Sequence, residues 1–160
     1  MSDWFVVNVA DSAAFHHARA GWSTRFESPG ASFEHFGINI RVLEPGQPNG
    51  KYHSERAQED FLVLGGACIA IIDGEEHALK QWDFVHCPPG TEHIFVGAGE
   101  GPCTLLMVGA RLDDHALHYP VNELAKTYGA SAAESTSDAG QAYADWNREF
   151  TPGKLPWPPA

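Results

Sequence analysis

The sequence predicts an all-β protein, an antiparallel sandwich or small barrel followed by short helices and a proline-rich arm. Three observations carry that prediction. From about Trp4 to Arg111, short runs rich in Val, Ile, Phe and Leu alternate with Gly, Pro, Asn and Asp, which is the punctuation of strands and turns. No long helix interrupts these runs, so antiparallel pairing is favoured over a parallel sheet with crossovers. Asp73-Gly74 lies between Ile71-Ile72 and Glu75-Glu76, and Asp-Gly accepts the positive φ values of a type I′ hairpin turn.

The elements follow in order. Trp4–Val9 reads as a first strand, and Asp11 can cap a short helix that ends at Gly21. Further strands are predicted over Phe33–Leu43, Asp60–Leu64, Ala67–Ile72, Glu76–Leu79, Asp83–Cys87, Glu92–Val96 and Cys103–Ala110. After Arg111 the texture changes. Asn122 can cap a helix through Tyr128, with Leu124 and Tyr128 on one face and Gly129 as its stop. Asp138 starts a second helix, with Gln141 placed as in a capping box and Ala139, Ala142, Tyr143 and Trp146 at helical spacing. Thr151 to Ala160 holds four prolines and Trp157, an extended arm expected to pack on the barrel or on a partner subunit. Residues 1–111 are thus expected to form the barrel, with its first strand and short helix. Residues 112–160 should supply the helices and arm, all within one domain.

Composition narrows the class. With 43% hydrophobic and 19% charged residues, the chain is globular rather than disordered. Its formal net charge of −11 repels phosphate backbones and anionic lipid, arguing against nucleic-acid and membrane partners. The N-terminus has no basic region ahead of an apolar run, and no apolar segment approaches a membrane span, so a cytoplasmic protein is expected. Cys68, Cys87 and Cys103 are odd in number and lie in apolar, strand-like runs, which suits reduced, buried thiols.

The chemistry concentrates in His53-Ser54-Glu55-Arg56-Ala57-Gln58-Glu59 and, further on, His93 within Pro88-Pro89-Gly90-Thr91-Glu92-His93. On a strand His53 and Glu55 project to the same side. Glu59 shares their parity unless Arg56–Gln58 is a turn that breaks the count. The next run, Phe61-Leu62-Val63-Leu64, is apolar on both faces, so polar residues just before it belong at the barrel mouth or inside. Two glutamates facing each other there would have to share a proton; a divalent ion removes that conflict. Imidazole with carboxylate suits Zn, Fe, Mn or Ni, and two histidines with one carboxylate match the open facial arrangement of non-haem iron oxygenases.

These residues resemble the two motifs of the cupin superfamily, and the chain is similar to its small, single-domain bacterial-type members. In the first motif a glycine is followed by five residues, His-x-His, three or four residues, Glu, six residues and Gly. Here six residues separate Gly46 from His53, Glu55 stands at the second histidine, Glu59 fits the glutamate and Gly66 the closing glycine. In the second motif, Pro88-Pro89-Gly90 and His93 match, Trp82 replaces the leading glycine and Gly97 replaces the final asparagine. The resemblance covers about Gly37 to Arg111. It implies an antiparallel double-stranded β-helix, the jelly-roll barrel, with a divalent metal held by His53, Glu55, Glu59 and His93. The unusual Glu55 leaves one glutamate able to act as a general base, and spacing favours Glu59 as the ligand.

Other residues weigh less. His86 can line the pocket or be structural. Asp113, Asp114, His115 and His118 read as a solvated loop, and His16 and His17 diverge from each other. Glu75 and Glu76 read as a solvated edge. The function expected is that of a metal-dependent enzyme acting on a small molecule in the barrel, a dioxygenase first. An isomerase or lyase, or a non-catalytic binding or structural cupin, is the alternative. A homodimer is expected, with the arm and late helices serving the contact.

Overall fold

The computed structural model describes residues 4–27, 32–113 and 116–156. Its strands are β1 (Ala13–His17), β2 (Gly21–Arg25), β3 (Phe36–Leu43), β4 (Ser54–Glu55), β5 (Glu59–Gly65), β6 (Ala67–Ile72), β7 (Glu75–Lys80), β8 (Phe84–Cys87), β9 (His93–Ala98), β10 (Cys103–Ala110), β11 (Leu117–His118) and β12 (Thr151–Gly153). Helices α1 (Glu123–Thr127) and α2 (Ala139–Ala142) are short. A seven-stranded sheet runs β12-β1-β2-β3-β10-β5-β8, a three-stranded one β7-β6-β9, and β11 pairs with β4. Every strand pairing is antiparallel.

Period-two alternation decides which side chains meet. In β5 and β10, Phe61, Val63 and Leu105 point inward against Cys68 and Ala70 of β6 and Phe95 of β9; Cys87 and Cys103 complete this core. The three cysteines are free thiols, as their apolar setting predicts. Fully burying side chains such as Phe61, Val63 and Leu105 stabilises the fold by about 1.5–3 kcal/mol each. On the far side of the small sheet, Ile71 and Ile94 pack against Tyr52, Ala125 and Ala130, so the segment around α1 covers it. Ile40 and Val42 of β3 pack with Ala14 and Leu155, which brings the start of the arm onto the large sheet. Trp157 lies outside the described residues. No helix among the described residues is long and apolar enough to cross a membrane.

The hairpin and the late helices follow expectation. Asp73 and Gly74 have φ of 46° and 83°, as a type I′ turn requires. Asn122 accepts from the Ala125 amide and Asp138 from those of Gly140 and Gln141. The second helix is only one turn long, and Gln141 accepts from Thr136 instead of returning to the cap.

Residues 4–25 differ from expectation. Trp4–Asn8 form no strand, because no neighbour among the described residues pairs with them. The predicted helix between Val9 and Gly21 is replaced by a 3-10 turn at Val9–Asp11, capped by Asn8 rather than Asp11, and then by β1. Pairing with β2 on one side and β12 on the other outweighs the helix propensity of the Ala-rich run.

Candidate metal centre

Two backbone connections assemble the site. The His53 N–H donates to the His93 carbonyl (3.2 Å) and the His93 N–H to the His53 carbonyl (2.8 Å), so the two histidines face each other across an isolated bridge. The Gly90 N–H donates to the Glu55 carbonyl at 2.8 Å, fastening the proline turn to the first motif. Gly90 has φ of 87°, a left-handed conformation that suits glycine. The Arg56–Gln58 turn interrupts the alternation, and Glu59 re-enters at the start of β5 between Gly109 and Cys87. A Cβ at Gly109 would lie 3.6 Å from the Glu59 side chain and 3.9 Å from Glu55 Oε1. The glycine therefore leaves room beside both carboxyls.

One ligand atom from each of His53, Glu59 and His93 lies within 4.8 Å of the other two. Both rings are oriented by backbone carbonyls two residues back: His53 Nδ1 contacts Lys51 O at 2.8 Å and His93 Nδ1 contacts Thr91 O at 3.0 Å. A carbonyl only accepts, so each Nδ1 carries a proton and Nε2 is the nitrogen left to act as a ligand. Glu59 Oε2 is buried without a hydrogen-bond partner, although His93 Nε2 stands 2.9 Å away. That contact has the distance of an ion pair but not the alignment of a hydrogen bond. Two ligand atoms each about 2.1 Å from one ion, at right angles, lie about 3.0 Å apart. The donors and the orphaned oxygen therefore fit a divalent cation. Without one, a proton does part of its work. Burial opposes charge on His93, but the neighbouring Glu59 carboxylate outweighs it and raises the imidazole's affinity for a proton.

Glu55 is brought to the same place but lies outside the trio. It is 8% exposed, and its carboxyl bonds that of Glu59 without joining the three clustered ligand atoms. Burial first, then the charge and hydrogen bond of Glu59, push it up to about 8. Burial also acts to raise Glu59, but contact with His93 and the charges of His93 and His53 hold it below the usual carboxylate range. The pair is thus divided: Glu55 keeps the proton and Glu59 carries the charge. Phe61 packs edge-on against His93, with centroids 5.3 Å apart, and Tyr119 lies 5.7 Å from the His53 ring. Phe61 was legible as a same-face neighbour of Glu59. Tyr119 had no signal, because only the β4–β11 pairing brings it near.

The other candidates lie elsewhere. His86 points outward and pairs with Asp60 at 2.7 Å, because neighbours on β8 alternate faces. His118 contacts Ser135 and Ser137, while Asp114 and His115 lie outside the described residues. His16 packs on Trp22, and His17 on Trp146 and Phe150. Glu75 and Glu76 are exposed on β7.

Residues 39–109 match the family model of the cupin domain. Over that segment the chain is a cupin domain. A sugar phosphate isomerase of the cupin superfamily from Silicibacter pomeroyi is similar in structure, with 29% identity, a TM-score of 0.55, and coverage of 70% of this chain and 68% of that one. A candidate sugar phosphate isomerase from Acidithiobacillus ferrooxidans is 27% identical with a TM-score of 0.50, covering 52% of this chain. This chain spans about half of that second protein (55%). The polyketide cyclase RemF from Streptomyces resistomycificus, 17% identical, shares the fold over 67% of this chain and 79% of its own, with a TM-score of 0.58. No curated protein sequence matches. Two departures from the cupin motifs have physical readings. Trp82, at the motif's glycine, keeps a left-handed φ of 74°. Gly97, at the asparagine, passes so close to the chain that a Cβ would lie 2.3 Å from the Glu44 carbonyl oxygen.

Proposed function

We propose that this cupin is a metal-dependent isomerase of a small carbonyl compound, moving a proton between adjacent carbons. The division of the two carboxyls carries this reading: Glu59 belongs to the ligand trio, while Glu55 stands beside it and outside it. His53, Glu59 and His93 would hold a divalent ion of the Fe, Mn, Zn or Ni class, which polarises a carbonyl oxygen and makes the neighbouring C–H acidic. With the ion neutralising Glu59, Glu55 would ionise and serve as the base that takes the proton from one carbon and returns it to the next, the neighbouring hydroxyl proton passing to the former carbonyl oxygen. The Lys51 and Thr91 carbonyls keep the two imidazoles in register, and Phe61 and Tyr119 restrict water around them. The two isomerase-named structures, at 27% and 29% identity, support this class.

The test is solvent exchange. Metal-loaded protein incubated with aldose and ketose phosphates in D2O should place deuterium at the carbon beside the carbonyl. Glu55→Gln should abolish that exchange while retaining metal. Exchange at the wild-type rate in Glu55→Gln, or no exchange across the panel, sinks the reading. A dioxygenase is the second reading, favoured by the two-histidine, one-carboxylate set; it would consume oxygen in step with turnover, as the isomerase would not.

A further inference from the structure

Arg41 is a cation placed inside the barrel without a counter-charge. On β3, Ile40 and Val42 face the β1 side, so Asn39 and Arg41 take the opposite, concave face. There they are paired with Met107 and Leu105. The Arg41 guanidinium makes one hydrogen bond, Nη1 to the Ala20 carbonyl at 3.3 Å. Its Nε is buried with no partner, as is Asn39 Oδ1. No carboxylate among the described residues pairs with it, although the chain holds 21 Asp and Glu. Lys51 shows how this fold treats a buried cation it means to neutralise: Asp145 sits 2.8 Å away, and the carbonyls of Gly129 and Ser131 accept from it.

Arg41 borders a cavity of about 270 Å³ that is also lined by His17, Asn49, Tyr143, Arg148 and Phe150. Tyr143 packs edge-on against Tyr119 at 5.9 Å, and Tyr119 lies against His53. The cavity is therefore next to the candidate metal centre, separated from it by two tyrosine rings. A buried guanidinium with a free Nε–H and no carboxylate is built to receive planar or tetrahedral oxyanions.

We infer that Arg41, with Arg148 at the rim, forms an anion subsite for the carboxylate or phosphate group of a small ligand. That this ligand is the substrate of the metal centre rests on the isomerase reading; the subsite does not. The probes are inorganic phosphate and acetate, added to chelator-treated protein while the melting temperature is followed. Phosphate or acetate should raise the midpoint of the wild type in a saturable way, and the more effective of the two identifies the chemistry. Arg41→Met should lose the shift, whereas Glu59→Gln should retain it, so failure of the metal reading would leave this result standing. A wild type that responds to neither anion overturns the subsite, as does an undiminished shift in Arg41→Met. Should Arg41→Met not fold, Arg41→Lys should bind the effective anion at least tenfold more weakly, because the fork is lost; equal binding also overturns it.

Discussion

Glu55→Gln offers the sharpest test of the carboxylate pair in metal-free protein. Glu55 ordinarily titrates near 4.5, and burial beside Glu59 moves it to about 8. Below about pH 4.5 the carboxyl is protonated in both folded and unfolded chains and contributes nothing to pH dependence. Between there and about 8 the unfolded chain releases its proton while the folded one keeps it. The native state then binds more protons, so stability falls as pH rises, and the loss is complete above about 8. The full shift corresponds to roughly 5 kcal/mol at most; because the pair shares its charge, a loss of about 3–4 kcal/mol is expected. Glutamine cannot ionise and can still donate to Glu59, so it mimics the protonated acid. At pH 5 the variant should match the wild type. At pH 9 its melting midpoint should be higher by about 6–16 °C, at about 2–4 °C per kcal/mol for a chain of this size. Saturating divalent metal should shrink the difference by supplying the missing charge. The assay is thermal unfolding of chelator-treated protein across pH 5–9. Parallel curves for the two proteins over that range would refute the reasoning, since the Glu55 contribution is isolated in their difference.

Four further outcomes follow from individual contacts. Gly97→Ala drives a Cβ to 2.3 Å from the Glu44 carbonyl oxygen and 2.8 Å from that of Leu43, so urea unfolding should show a loss of about 3 kcal/mol. Trp82→Gly relieves a left-handed backbone on an exposed ring and should stabilise by up to about 1 kcal/mol, after the glycine's own entropic cost. Lys51→Met strands the buried Ser131 carbonyl and takes from Asp145 its lysine partner. It should cost about 2–3 kcal/mol and open residues 120–150 to limited proteolysis. His86→Ala removes only an exposed pair with Asp60, so stability should change by less than about 1 kcal/mol. Its metal content should equal the wild type's, whereas His93→Ala should lose the metal.

Legibility in the sequence follows the range of the interaction. The Asp73-Gly74 hairpin and the Asn122 and Asp138 caps are local, and their chemistry is visible in adjacent residues. The barrel strands are legible because each carries a period of two against one core. The N-terminal region is not, since β1 exists only by virtue of β2 and β12, the latter 134 positions away at Thr151. The same distinction runs through the site. His53, Glu59 and His93 are recognisable from residue type and spacing, which also favours Glu59 over Glu55 as the ligand, but the division of proton and charge between the two carboxyls is not. That division depends on where the Arg56–Gln58 turn leaves each carboxyl relative to Gly109. Arg41 escaped notice for a related reason: within Asn39-Ile40-Arg41-Val42 nothing distinguishes an inward arginine from a solvated one until the strand's neighbours are known.

The interior charges make most sense considered together. Glu59 lies opposite Gly109 and Gly109 opposite Gly37, and Arg41 follows four residues along β3. Two strands across and four residues along put the Glu59 and Arg41 Cα atoms about 16 Å apart. At that separation the cation does little for the carboxylate pair, and each end of the barrel keeps its own electrostatic cost. A fold organised for stability alone would join the two or dispense with both, as Lys51 and Asp145 are joined. Left apart, they are complementary to something with a cation at one end and an anion at the other. A divalent ion and an anionic metabolite together meet that description. A molecule that bound the ion through a carbonyl oxygen and reached Arg41 through its anionic group would have to displace the Tyr119 and Tyr143 rings that stand between them, and its reactive carbons would then lie beside Glu55. The charges that burden the metal-free barrel are thus the same groups that would orient such a molecule for proton transfer.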